Sequence, residues 1–279
     1  MKPFPLPVRL IGPGAMAEEE TLHYLKMPAD MTVYATPPLP ATTPPAVLAV
    51  LARLAAALVA TDPAPIDLAT LEPAERTALH TLLGEGEVGA RIQQADGSEV
   101  CVQEAVFAGV WRVIHTRAGQ VVTDHVEVGP APACLAEAAL QGLWPAPPAW
   151  DGPLPDGVVN APALIAEVAQ KAAAWQPGAP AEVINLSLLP MSMGDIAFLD
   201  HHLGTGDLTV LSRGYGNCRI SSTRLRHCWR VVYYNSADSV ILNSVEITDM
   251  PDVATAAPED MRDAHERLAD ILCVLSETE

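Results

Sequence analysis

An internally duplicated α+β fold, each copy packing helices on a mostly antiparallel β-meander, follows from three features of this sequence. First, Leu83-Gly84-Glu85-Gly86-Glu87-Val88 recurs as Leu203-Gly204-Thr205-Gly206-Asp207-Leu208, and Trp111-Arg112-Val113 recurs as Trp229-Arg230-Val231; the glycines stand 120 residues apart and the tryptophans 118. An echo at a near-fixed interval marks a repeated structural unit. Second, helical periodicity comes first in each copy and strand-like stretches then follow as a run, which is the order of an α+β layer rather than of alternating βαβ units. Third, Ala95-Asp96-Gly97-Ser98, Arg117-Ala118-Gly119 and Asn235-Ser236-Ala237-Asp238 place turn chemistry at the short intervals of a meander. The chain accordingly divides into a proline-rich N-terminal segment at 1–44, a first repeat at 45–155 and a second at 156–279.

The N-terminal segment cannot enter a sheet interior, because proline fixes φ and removes backbone donors, so an extended course over a surface is expected. Each repeat then opens with an alanine-rich helix, 46–58 or 163–175. The first is apolar nearly all round and reads as buried, whereas Glu167, Gln170 and Lys171 give the second a wet face. A short apolar strand follows, 65–68 or 183–188, and then a second helix, 73–83 or 193–203. Both of these helices stop at a glycine, Gly84 or Gly204, as helix C-termini commonly do. The strands of the first copy are expected at 88–93, 99–106, 110–116 and 121–128, and those of the second at 208–212, 219–225, 228–234 and 240–247. The first copy closes on an apolar piece at 134–143, residues 145–155 read as a linker, and 258–275 carry the pattern of an amphipathic helix.

Composition narrows the functions. With 34 acidic and 16 basic residues the formal charge is −18, and phosphate binding needs lysine and arginine to displace counterions, so nucleic acid is excluded as a partner and an anionic membrane surface is disfavoured. The longest apolar run, 46–60, is too short to span a bilayer and carries Arg53, so no membrane insertion is expected. Five cysteines in no C-x-x-C pair fit reduced thiols in a cytoplasm, and prolines stand where a secretory apolar region would lie. Excess negative charge favours attraction to a basic partner.

Several constellations could carry chemistry. Gly84-x-Gly86 and Gly204-x-Gly206 resemble phosphate loops, but the order here is helix, glycines, strand, the reverse of a dinucleotide loop. Asp200, His201, His202, His227 and Cys228 form the best metal candidate, although adjacent histidines on a helix point about 100° apart. Cys218 with His227 offers a nucleophile and a base, which would require a depressed thiol pKa and an orienting third group. Trp111 and Trp229 read as core, and Glu127 and Glu246 are expected to answer Arg112 and Arg230 across neighbouring strands. The stretch Arg213-Gly214-Tyr215-Gly216-Asn217-Cys218-Arg219 differs, because the first copy has only Gln94-Ala95-Asp96-Gly97-Ser98-Glu99 there. Duplication preserves a scaffold, and a loop that diverges is where a separate task can settle. These residues, with Glu18, Glu19 and Glu20, are the candidate partner-binding set.

Residues 211–220, with Asn243-Ser244-Val245-Glu246-Ile247, Ala256-Ala257-Pro258-Glu259-Asp260, Gly12-Pro13-Gly14 and 27–34, resemble the hydrogenase expression/formation proteins of the HupH/HyaF/HoxQ type. The resemblance spans nearly the whole chain and includes the duplication. It implies a cytoplasmic accessory protein for maturing uptake [NiFe] hydrogenases, without catalytic residues or a cofactor of its own. The implied partner is the iron–sulfur small-subunit precursor before export, or another hydrogenase maturation protein; a homodimer is also open. Two rival readings remain from the residues themselves: a metal or cluster handling factor using Asp200, His201, His202, His227 or Cys218, and a thiol enzyme centred on Cys218.

Overall fold

A computed structural model describes residues 43–214 and 216–277. The first repeat runs α1 (Pro45–Leu58), β1 (Ile66–Asp67), α2 (Pro73–Leu83), β2 (Val88–Gln93), β3 (Glu99–Glu104), β4 (Val110–Arg117), β5 (Gln120–Val128) and α3 (Ala133–Ala139). The second repeats the order as α4 (Ala161–Ala174), β6 (Glu182–Asn185), α5 (Met193–Leu203), β7 (Leu208–Ser212), β8 (Asn217–Ser222), β9 (Cys228–Tyr234), β10 (Val240–Ile247) and α6 (Pro258–Glu277). Strands neighbour one another as β1-β5-β4-β3-β2 in one repeat and β6-β10-β9-β8-β7 in the other, antiparallel throughout. The α+β fold and the duplication stand as read from the sequence.

Several strand ends move by a few residues, β3 closing at Glu104 instead of 106 and β8 running Asn217–Ser222 instead of 219–225, and two differences change the layout. The piece 183–188 is a strand only to Asn185 and then a 3-10 turn at Leu186–Leu188, because the Asn185 carboxamide accepts from Ser187 N–H and bends the chain off the sheet. The compact units also do not follow the repeats: α6 lies with residues 43–135, and the other unit comprises residues 136–251. The cause is the apolar stripe of α6, in which Ala264, Leu268 and Leu275 are buried in the same core as Val47, Leu51 and Leu54 of α1.

The repeated glycines have a steric explanation. Gly84 and Gly204 end α2 and α5 at φ 59° and 68°, where a β-carbon is unfavourable. Two residues on, Gly86 donates to Glu104 O at 2.7 Å and Gly206 to Ser222 O at 2.9 Å. A β-carbon at Gly86 would collide with the Ala105 carbonyl, and one at Gly206 with the Ser222 side chain. The motif therefore stops a helix and lets the next segment lie against the end of β3 or β8. The repeated tryptophans are equally explicit: Trp111 Nε1 donates to Gly129 O at 2.8 Å and Trp229 Nε1 to Thr248 O at 3.0 Å, with both rings buried. Each indole thus ties β4 or β9 to the residue that follows the next strand.

The expected arginine partners are corrected by register. Glu127 faces Trp111 and Arg112 faces Val126, so the two leave opposite faces of the sheet; Glu246 opposite Trp229 and Arg230 opposite Val245 repeat the arrangement. Arg112 instead makes two bonds to Asp124, at 2.9 and 2.8 Å, a diagonal neighbour on its own face. Arg230 is met by Asp200 of α5 at 2.7 Å and by Asn243 of β10 at 2.7 Å. Asn243 occupies the place of Asp124, and Asp200 that of His80, whose imidazole is held below its ordinary pKa by burial and by the Arg112 charge. Between repeats the carboxylate has moved from strand to helix while the guanidinium stayed.

Asp195 joins two helix starts. Its Oδ1 accepts from Val159, Asn160 and Ala161 N–H at 2.8–2.9 Å ahead of α4, and its Oδ2 accepts from Ser192 N–H at 3.1 Å ahead of α5. Burial alone would raise this carboxyl, but the backbone donors outweigh it and bring it from 3.8 down to about 2.

Two outcomes are expected. Because the folded-state pKa is depressed, the Asp195 contribution is present above the unfolded value and is lost as pH falls toward 2. Urea unfolding should show Asp195→Asn less stable by ~2 kcal/mol at pH 7, with the gap to wild type closing between pH 4 and pH 2, at roughly 1.4 kcal/mol per pKa unit; a gap independent of pH would refute the assignment. Asp200→Ala should cost about 1–2 kcal/mol, and Asp200→His combined with Asn243→Asp, which rebuilds the first-repeat arrangement, should recover at least half of the loss; no recovery over Asp200→His alone would sink the equivalence.

Candidate partner-binding site

The divergent stretch forms the turn between β7 and β8. Register is continuous through it, with Leu211 opposite Arg219 and Ser212 opposite Cys218. The repeat interval changes from 120 to 118 residues here, so the second turn is shorter by two. Since strand side chains alternate with period two, that deletion leaves every flanking side chain on its original face.

The two turns are built differently. In the first repeat the backbone bends at Gly97, φ 79°, with Gln94 N–H bonded to Ser98 O, and Asp96 adds side-chain bonds by accepting from Ser98 N–H at 2.9 Å and from Arg117 at 2.8 Å. In the second, shorter turn two glycines share the bend: Gly214 and Gly216 form a bridge and Gly216 adopts φ 99°. Gly214 and Arg219 are exposed, and Arg213, Gly216 and Asn217 are half-buried. Tyr215, Glu18, Glu19 and Glu20 lie outside the described residues.

Cys218 does not join the exposed set. It points to the buried face opposite Tyr233 and is 3% exposed. Burial pushes its thiol up to about 12, which favours the protonated form at neutral pH. His227 precedes β9, whereas Cys218 pairs near the far end of that strand at Tyr233, roughly 15–20 Å away at strand rise. The pairing of Cys218 with His227 is therefore corrected. Burial likewise raises the Cys101 thiol to about 12 and that of Cys228 to about 11.

The metal candidates are likewise engaged elsewhere. His202 bonds Phe198 O at 2.8 Å and stacks on the Phe198 ring at 4.1 Å. His227 faces Asp249 at 3.0 Å and lies 4.7 Å from the Trp175 ring, while Asp200 is bound to Arg230. His201 meets His202 edge to face at 5.1 Å, the geometry expected of neighbours on a helix. Among the described residues no three histidine, cysteine, aspartate or glutamate side chains are arranged to hold a metal ion. None of the described helices is long and apolar enough to cross a membrane.

Sequence reasoning missed the other exposed feature of both repeats. β10 pairs with β9 through a bulge at Ile241, and β5 pairs with β4 through a bulge at Val122. The available signal was the doublet Val121-Val122 and Val240-Ile241, two adjacent aliphatics that break strand alternation at the same place in each copy.

Comparison with known proteins completes the site. The family model "HupH hydrogenase expression protein, C-terminal conserved region" matches residues 42–141 and again 158–275. The chain is 51% identical to the hydrogenase expression/formation protein HoxQ of Cupriavidus necator, covering 98% of each chain. It is 44% identical to the hydrogenase expression/formation protein HupH of Rhodobacter capsulatus, over 96% of this chain and 97% of the relative. To the hydrogenase-1 operon protein HyaF of Escherichia coli it is 37% identical, over 96% of each. With the family region matched twice, on the two repeats that the strand order relates, the chain belongs to the HupH family of hydrogenase expression/formation proteins.

Proposed function

We propose that this chain is a non-catalytic accessory of [NiFe] hydrogenase maturation that holds a hydrogenase subunit precursor, the iron–sulfur small subunit, in the cytoplasm before its export and assembly. The observation that carries the reading is the β7–β8 turn: two repeats keep the same strands and register, and only the second has the shorter turn with paired Gly214 and Gly216 and an exposed Arg219 beside it. Family membership supports the hydrogenase context, since the relatives are hydrogenase expression/formation proteins. The formal charge of −18 supports recruitment of a basic leader on such a precursor, by raising the encounter rate in a salt-dependent way. Burial of the Cys218 thiol, which raises it to about 12, weighs against the thiol-enzyme reading.

The test is binding of purified chain to a small-subunit precursor with and without its leader. Arg213→Ala combined with Arg219→Ala should weaken binding about ten-fold, as truncation of interface arginines commonly does. Reversing Glu18, Glu19 and Glu20 to lysine should slow association and flatten its salt dependence. Binding indifferent to the leader, to salt and to both sets of substitutions would overturn the reading.

A further inference from the structure

The end of β3 carries a buried carboxyl group that the second repeat lacks. Glu104 is 7% exposed and stands opposite Trp111 of β4. Its Oε1 accepts from Gly109 N–H at 3.2 Å, its backbone oxygen accepts from Gly86 N–H at 2.7 Å, and Val88 N–H is a further donor to the side chain. One residue thus ties the segment that leaves α2 to the turn that leads into β4. Its counterpart is Ser222, opposite Trp229, which accepts from Leu208 N–H through its hydroxyl at 3.3 Å and from Gly206 N–H through its backbone oxygen at 2.9 Å. The scaffold is the same, but only the first repeat builds it on a group that can ionise.

The β3–β4 turn is also the seat of α6. A β-carbon on Gly109, at φ 78°, would run into the Met261 side chain, so the residue that donates to Glu104 is the one that α6 covers. Further along the helix Arg267 donates to Val106 O at 2.6 Å and lies over the Phe107 ring, and His265 Nδ1 meets Ala55 O at 2.8 Å. Ala256 N–H, just ahead of α6, donates to Pro130 O at 2.8 Å. Since α6 closes the core built by α1 and α2, whatever loosens its seat opens that core.

The charges around Glu104 are of its own sign. Those that act on it are Glu87, from the segment after α2, and Asp260, from the first turn of α6. Arg112 stands opposite Gln103 and so leaves the other face of the sheet, and Arg267 is turned to Val106 O. Burial is the main cause that pushes the Glu104 carboxyl from 4.5 up to about 7; Glu87 and Asp260 add to it, and the Gly109 and Val88 donors pull the other way. With its folded-state pKa raised, the contribution of this group to the closed arrangement is full below 4.5 and is lost as pH rises through about 7.

We propose that Glu104 is a proton-operated latch on the seat of α6: while its carboxyl is neutral, the 84–88 segment, the β3–β4 turn and the first turns of α6 stay closed together, and ionisation loosens them. Ionisation sets a third negative charge beside Glu87 and Asp260, in a place where burial withholds water from it. The segments that cover the carboxylate are then the ones that have to part. Ser222, which has no proton to lose near neutrality, leaves the corresponding place in the second repeat indifferent to pH.

Hydrogen exchange of the full chain, compared at each pH with Glu104→Gln, tests the latch, because intrinsic exchange rates cancel between the two proteins. From pH 5 to pH 7 the protection of 84–88 and of 258–264 in wild type should fall relative to the variant by about ten-fold per pH unit at the steepest, and level off above about pH 7.5. Amides at 217–222 in the second repeat should show no such change. Glu104→Ser, which copies the second repeat, should hold a constant ratio to Glu104→Gln across the range, so the outcome does not hang on how the glutamine packs. Protection that runs parallel in wild type and Glu104→Gln, or a fall in Glu104→Ser equal to that of wild type, would overturn the proposal. So would a fall shared equally by 217–222, since the whole chain and not the seat of α6 would then be responding.

Discussion

A guanidinium that spans from sheet to helix has to be neutralised, and each repeat is arranged around meeting that need. Arg112 and Arg230 leave the strand that carries the buried tryptophan and turn to the helical face, with side chains 20% and 12% exposed. An arginine so far from water cannot shed its charge, so a carboxylate must come to it. In one repeat Asp124 comes from the next strand; in the other Asp200 comes from the helix and Asn243 fills the vacated place. The duplicated scaffold thus preserves a physical requirement and not a residue pair. Two solutions to one problem are what independent drift of two copies produces when the problem itself is fixed.

The same logic separates what was legible in the sequence from what was not. Helices α2 and α5 and strands β2, β7, β9 and β10 have the ends expected of them, because each is bounded by a glycine, a proline or a turn cluster acting within a few residues. The tryptophans were legible as core since a large ring repeated on an apolar strand has few other places to go. The partners of the arginines were not. Glu127 and Glu246 recur beside them in sequence space, but face is set by cross-strand register, which a one-residue offset inverts. Asp195 was equally hidden: the four N–H groups it serves come from segments more than thirty residues apart in the chain as well as from its own capping box.

At the candidate site the boundary runs through single residues. Divergence between copies located the turn at 213–219, and backbone bending by Gly214 and Gly216 is what the sequence would lead one to expect. That Cys218 faces inward follows from alternation once Arg219 is known to face out, yet which of the two is outermost depends on what the rest of the sheet buries. The histidines illustrate a different gap. His202 and His227 satisfy their ring nitrogens locally, one on a helix carbonyl and one on Asp249, so proximity in the sequence carried no information about a shared ligand.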